Sequence, residues 1–306
     1  MPVEYVAALE VGGSNVKSAL LTRAGRRLLS QRHPTRREEG PEAVLHRVLS
    51  YAEDVVARGV AAHGVPPRAL GVAALGLVDS STGTVVFGAN VGWSNLPLRS
   101  LLTERLGLPV TLAHDAGAGG VAEAALGAGR GCRDFLFAAV GTGVGGALML
   151  DGRPYRGAHG QAGEIGHIVV RPAGSPCGCG GRGCLETVAS ASALARRYAE
   201  LGGEPGTTAA DVCRAAATDP LARTAWEEAV SGLADGLVAY ATIMDPDRII
   251  VGGGLALAGE ASFSPLRSAV ALRCTLAHPP AVVPAGLGDA AGLLGAGLLA
   301  WDLLDS

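Results

Sequence analysis

The stretch Gly163-Glu164-Ile165-Gly166-His167, followed by Cys177-Gly178-Cys179-Gly180-Gly181-Arg182-Gly183-Cys184-Leu185-Glu186, gathers one imidazole and three thiols. His167, Cys177, Cys179 and Cys184 make a tetrahedral Zn²⁺ ligand set of the closed, structural kind, with no position left for water. The glycines between them permit the tight turns that let ligands so near in sequence converge. The plainer alternative is three reduced cysteines in a loop beside an unrelated histidine. Glu164 and Glu186 flank the set. Held rigidly by a metal, they would accept hydrogen bonds from the hydroxyls of a polyol; without it they would be solvated surface acids.

Two glycine turns each follow a strand-like run: Glu10-Val11-Gly12-Gly13-Ser14-Asn15 and Gly141-Thr142-Gly143-Val144-Gly145-Gly146. Unhindered backbone N–H groups there can approach phosphate oxygens, and Ser14 and Thr142 each add a hydroxyl donor. Neither turn is a lysine-bearing P-loop, because Lys17 lacks that spacing, and the second leads into an apolar strand where a Rossmann site needs a helix. Each alone is also what an ordinary hairpin would use. Joined by Gly252-Gly253-Gly254 after a third strand, they outline a nucleotide site. Asp115 closes the run Val110-Thr111-Leu112-Ala113-His114 and is followed by Ala116, Gly117 and Ala118. An acid at the carboxyl end of a strand suits a general base for a hydroxyl nucleophile; it equally suits the N-cap of a following helix.

The elements that must position these residues follow from periodicity. Strands are expected over 3–9, 16–21 and 28–32, separated by glycine-bearing turns. Pro41 then opens an amphipathic helix on Val44, Leu45, Val48, Ala52, Val55 and Val56. A buried strand over 70–75, a helix over 98–106 and a strand over 110–113 complete the order β-β-β-α-β-α-β. The order repeats from a strand pair at 135–140 and 145–150. Helical patterns follow over 189–200 and 222–244, then a strand over 247–251 and a last helix over 288–304. The reading is of two related α/β domains with a cleft between them: a small one over 1–114, completed by the helix at 290–306, and a larger one over 115–289 that carries the zinc loop.

Composition narrows the class. The chain has 306 residues, 48% apolar and 17% charged, ample for two cores. With 25 basic against 28 acidic residues there is no electrostatic footprint for nucleic acid or an anionic membrane. The mean hydropathy of +0.31 reflects alanine and short apolar runs. The longest of these, 290–301, falls below the roughly 20 residues that span a bilayer. The opening lacks a charged n-region and cleavage site, which points to a cytoplasmic protein. Lys17 is the only lysine, and the 46 glycines are about twice the ordinary share. Cys132, Cys213 and Cys274 are scattered and expected to be buried as small apolar residues.

The run from Gly157 through His167, with Cys177, Cys179, Cys184 and Glu186, resembles the signature of the ROK family of sugar kinases and sugar-responsive repressors. The resemblance extends over nearly the whole chain. Gly12-Gly13-Ser14-Asn15 and Gly141 to Gly146 resemble the family's two phosphate turns, Gly76-Leu77-Val78-Asp79 and Asn90-Val91-Gly92-Trp93 its sugar-side loops, and Gly252-Gly253-Gly254 its adenosine-side glycines. It implies an actin-like, hexokinase-type (ribonuclease H-like) fold of two α/β domains that close over a cleft and expel water. It also implies transfer of the γ-phosphoryl of MgATP to the 6-hydroxyl of a hexose, glucose first.

Carried over residue by residue, Asp115 is the base, and Gly76, Asn90, His114, Glu164, His167 and Glu186 hold the sugar. His167 would use one ring nitrogen on zinc and the other toward a hydroxyl. Gly12, Gly13, Ser14, Asn15, Lys17, Gly141, Thr142, Gly143, Gly253 and Gly254 face the nucleotide. The chain departs from the glucokinase pattern at Glu10 (Asp in the family), His114 (Asn), Gly117 (a second Asn) and Leu75 (Pro). These departures keep open an amino-sugar acceptor (kanosamine, N-acetylglucosamine or N-acetylmannosamine) and a sugar-binding protein without catalysis. Polyphosphate is an alternative donor. A repressor is disfavoured because the first phosphate-turn strand begins at residue 3, leaving no room for a helix-turn-helix. The family implies a homodimer or homotetramer.

Overall fold

The computed structural model describes residues 3–276 and 278–306. Chain contacts divide it into two compact units. The first comprises the chain to Leu126, Arg156–Gln161 and Ala290–Ser306; the second comprises Gly127–Tyr155 and Ala162–Asp289.

In the first unit β1 (Val6–Val11), β2 (Asn15–Leu21) and β3 (Arg27–Pro34) form the expected meander, followed by α1 (Pro41–His63) and β4 (Leu70–Ala74). Three short strands come next: β5 (Leu77–Asp79), β6 (Thr84–Gly88) and β7 (Trp93–Leu96). Then follow α2 (Leu98–Leu106), β8 (Val110–His114) and α3 (Asp115–Leu126). The main sheet runs β3-β2-β1-β4-β8, antiparallel from β3 to β1 and parallel from β1 to β8. Alternation along these strands sends Leu9, Val11, Leu70, Val72 and Leu112 into a core with Val44, Val48, Val55, Leu98 and Leu102 of α1 and α2. The opposite face is closed by the C-terminal helix.

The second unit repeats the plan. After β9 (Phe135–Val140), β10 (Val144–Leu150) and β11 (Arg153–Tyr155) come four helices, α4 (Glu186–Ala189), α5 (Ala191–Glu200), α6 (Ala209–Ala215) and α7 (Pro220–Met244). They are followed by β12 (Arg248–Gly252), α8 (Glu260–Arg273) and β13 (Ala281–Pro284), and α9 (Ala291–Asp305) then returns to the first unit. The sheet order β11-β10-β9-β12-β13 has the same antiparallel and parallel halves as the first. Leu136, Ala138, Ile249 and Val251 of its strands share a core with Leu233, Leu237, Phe263 and Leu266.

Several expectations need correction. The division falls after Leu126 and not after His114, because α3 packs on α9 so closely that a Cβ on Gly295 would meet the Ala118 carbonyl at 1.8 Å. The single helix expected over 189–200 breaks at Ser190, whose extended backbone (ψ 160°) starts α5 afresh and whose Oγ accepts the Ala193 N–H at 3.1 Å. The first strand begins at Val6, and α9 is preceded by a 3₁₀ turn over Gly288–Ala290. The β5-β6-β7 sheet was not anticipated. Its hairpin is made by Asp79, which accepts hydrogen bonds from the Ser81 and Thr82 hydroxyls, and by Gly83 at φ 74°. Cys132, Cys213 and Cys274 are half-buried and not fully enclosed. Among the described residues no helix is long and apolar enough to cross a membrane.

Candidate functional site

In the first unit the turn between β1 and β2 is closed by the Gly12 N–H donating to the Asn15 carbonyl at 2.9 Å. Thr35, just past β3, ties it from outside: its hydroxyl donates to the Gly12 carbonyl at 2.7 Å and its N–H to the Ser14 carbonyl at 2.9 Å. Nothing in the local sequence announces Thr35, since it reaches the turn only through strand pairing. Asn90, on the β6–β7 connection, lies over Gly13, its Cβ 3.6 Å from the position a Gly13 side chain would start. The structure thus brings the predicted phosphate turn and the predicted sugar residue Asn90 together.

Gly76 has φ 88°, and a Cβ on it would meet the Phe87 carbonyl at 2.3 Å, so its role within this unit is close backbone packing on β6. Lys17 sits opposite Glu10 in the β1–β2 register and pairs with its carboxylate at 3.1 Å, both side chains largely buried.

Asp115 is the first residue of α3, directly after β8. Its Oδ1 accepts the Ala116 N–H at 2.7 Å and lies 3.1 Å from His114 Nε2. One carboxylate oxygen is thus engaged at the helix start, by the N–H of the next residue. The side chain remains 40% exposed. The His114 ring stands beside the same carboxylate oxygen.

In the second unit the zinc-type ligand set converges. The donor atoms of His167, Cys177, Cys179 and Cys184 all lie within 4.8 Å of one another. The Sγ atoms of Cys179 and Cys184 are 3.7 Å apart, and Cys177 Sγ is 3.6 Å from His167 Nδ1. A tetrahedral ion with Zn–S of about 2.3 Å and Zn–N of about 2.0 Å gives edges of roughly 3.7 and 3.5 Å, so the donors fit zinc in spacing and chemistry. Burial pushes the Cys184 thiol up to about 12, whereas the Gly181 backbone N–H lowers that of Cys179. A bound divalent cation would overcome the first effect by deprotonating its thiol ligands. With Nδ1 toward the cysteines, Nε2 of His167 is the nitrogen available outward.

The loop is held by two close backbone approaches. A Cβ on Gly183 (φ 68°) would meet the Arg171 carbonyl at 1.5 Å, and one on Gly166 would meet the Val144 carbonyl at 2.0 Å. Glu164 is half-buried immediately before the 3₁₀ turn Ile165–His167. Glu186 opens α4, and its Oε2 accepts the Val144 N–H of the second glycine turn at 2.9 Å. Of that turn, Gly141 donates its N–H to the Gly143 carbonyl at 2.9 Å, and Thr142 is exposed. Gly253 (φ 80°) follows β12 and crosses the end of β9, where a Cβ would meet the Val140 carbonyl at 2.4 Å. Gly254 is open to approach.

A separate cavity of about 800 Å³ in this unit is lined by Arg171, Arg196, Arg197, Glu227 and Glu228 among others. Its arginines are engaged by Asp235, the Thr187 carbonyl and Glu228, each at 2.7 Å.

Comparison with known proteins gives one consistent result. The sequence profile of the ROK family matches residues 6–302. The chain is 33% identical over 320 residues to a glucokinase of Halalkalibacterium halodurans, covering 98% of this chain and 96% of the relative. The crystal structure of a ROK hexokinase from Thermus thermophilus superposes with a TM-score of 0.86 at 34% identity, covering 99% of this chain and all of the other. That of a ROK family glucokinase from Streptomyces griseus, in complex with glucose and AMPPNP, superposes with a TM-score of 0.85 at 31% identity, covering 97% and 99%. The two α/β units are accordingly of the actin-like, hexokinase type.

Proposed function

The chain belongs to the ROK family, and from that premise we propose that it is an ATP-dependent hexose kinase whose acceptor is the 6-hydroxyl of glucose. The observation that carries this reading is the Asp115 carboxylate at the end of β8, with Oδ1 accepting the Ala116 N–H, His114 Nε2 3.1 Å from that oxygen and the side chain 40% exposed. In this role Asp115 accepts the proton of the sugar hydroxyl as it attacks the γ-phosphorus. Phosphoryl transfer needs little more than alignment and charge stabilisation. Backbone N–H groups of the 12–15 and 141–143 turns, with Lys17, would supply the latter to the phosphates of MgATP, and Gly253 and Gly254 would leave room for the adenosine.

Gly76, Asn90, His114, Glu164, His167 and Glu186 are the proposed sugar contacts, the carboxylates accepting from hydroxyls. Zn²⁺ held by His167, Cys177, Cys179 and Cys184 would be structural, fixing the His167 ring and the start of α4. His114 supports a second reading. It stands where the family has Asn and is turned to Asp115, which changes the donors offered near the acceptor. An amino sugar such as kanosamine, N-acetylglucosamine or N-acetylmannosamine is the alternative substrate.

The test is coupled ADP release from MgATP against glucose, mannose, glucosamine, kanosamine, N-acetylglucosamine and N-acetylmannosamine, run beside Asp115→Asn. Glucose-dependent turnover that falls by about 100-fold or more in the variant supports the reading. A preference for an amino sugar selects the alternative, and no stimulation by any sugar defeats both.

A further inference from the structure

The Glu186 carboxylate belongs to two structures at once. It begins two residues after Cys184, at the start of α4, where the zinc-type loop ends. Its Oε2 accepts the Val144 N–H at 2.9 Å and occupies the space beside Gly143, where a Cβ would stand 2.3 Å from that oxygen. Gly143 does not have a positive φ. Its missing side chain therefore serves to admit this carboxylate and is not demanded by backbone conformation. The same turn is anchored a second time, by the Ala191 N–H donating to the Gly141 carbonyl at 2.8 Å. The acid assigned to the sugar is thus also a strut of the second glycine turn.

We infer that Glu186 couples hexose binding to nucleotide binding, with Oε2 bracing the 141–146 turn through Val144 while Oε1 receives a sugar hydroxyl. The inference rests on the hexose kinase reading. A glutamate side chain loses rotamer freedom when it is fixed. Whichever ligand orders it first relieves the other of that loss, and the gain is reciprocal by linkage. The sign is positive, because the sugar hydroxyl and the Val144 N–H hold the carboxylate in one rotamer. The turn is then best ordered when the acceptor is present, which disfavours transfer to water.

Calorimetric titration of AMPPNP with Mg²⁺, with and without saturating glucose, tests this in the parent protein, Gly143→Ala and Glu186→Gln. The parent should bind AMPPNP about fivefold or more tightly with glucose, and glucose more tightly by the same factor with AMPPNP. In Gly143→Ala the added methyl displaces the carboxylate from Val144, and the ratio should fall below about twofold. Glu186→Gln keeps an amide oxygen for the Val144 N–H, so it should weaken glucose binding yet retain the ratio. A thermal melt establishes that Gly143→Ala is folded; if it is not, Glu186→Asp, too short to reach Val144, carries the same expectation. An unchanged AMPPNP affinity with glucose in the parent, or full coupling in Gly143→Ala, overturns the inference. A parent protein that binds AMPPNP but no glucose overturns the hexose reading, and this inference with it.

Discussion

The Lys17 ammonium lies 3.1 and 3.2 Å from the two carboxylate oxygens of Glu10, across a register pair of β1 and β2. Both side chains are largely buried, and the carboxylate rests on Gly292 at the start of α9, where a Cβ would meet its Cδ at 2.9 Å. A glutamate reaches one methylene further than an aspartate would, and the missing side chain at position 292 makes room for its carboxylate.

Gly292→Ala should therefore push the Glu10 carboxylate away from Lys17. Lys17 is among the residues proposed to face the phosphates, and a displacement of about 1 Å in a catalytic arrangement can lower turnover by about 100-fold. The double variant Glu10→Asp, Gly292→Ala should recover much of that loss, because the shorter acid vacates the space. Steady-state kinetics on both variants decides it; if the single variant keeps parental turnover, Gly292 does not set the reach of Glu10.

The zinc assignment predicts one Zn²⁺ per chain by elemental analysis. Its removal by a strong chelator should lower the melting temperature and raise the KM for the sugar more than that for ATP, because the proposed sugar contacts Glu164, His167 and Glu186 all lie on or beside the metal loop. Cys184→Ser should behave like the chelated protein. A metal-free preparation with parental melting temperature and KM would refute the assignment.

Gly183 joins two constraints, φ 68° and a carbonyl 1.5 Å from where its Cβ would stand. Gly183→Ala must move the Arg171 backbone, and strain of this kind costs about 1–3 kcal/mol before any clash is added. The expected result is a destabilised protein with reduced zinc content, measured by denaturant unfolding and metal analysis. Gly178→Ala, where a Cβ would meet nothing within 4 Å, should leave both unchanged.

The Ser81 and Thr82 hydroxyls hold the Asp79 carboxyl down at about 2, below its ordinary 3.8. A depressed carboxyl contributes stability above its unfolded value and loses that contribution as pH falls through its folded value. Asp79→Ala should melt below the parent at pH 6, and the difference should shrink between about pH 4 and pH 2. Melting curves across that range check the sign; a gap that widens on acidification contradicts it.

Much of this architecture was legible because its signals are local. The 3.6-residue pattern after Pro41 gives α1, the glycine turns after apolar runs give β1–β2 and β9–β10, and the repeated order gives the two matching sheets. The Cys and His spacing gives the cluster of donors that could hold a metal ion, since residues so near in sequence can meet by turns alone. Other features were not legible. The β5-β6-β7 strands are too short to show a period, and α3 is so rich in glycine and alanine that it carries little amphipathic pattern. Its place on the first unit depends on α9, which lies far along the chain.

The sequence by itself determined the residue types able to bind zinc, take a proton and approach phosphate, because those are properties of side chains and short spacings. Only the tertiary structure decided which of them share a hydrogen bond: Thr35 with Gly12, Glu10 with Lys17 over Gly292, and Glu186 with Val144. Most of these pairings are set by sheet register and by helices that return from distant parts of the chain. No local pattern encodes such long-range contacts, and they hold the turns and side chains to which the proposed chemistry is assigned.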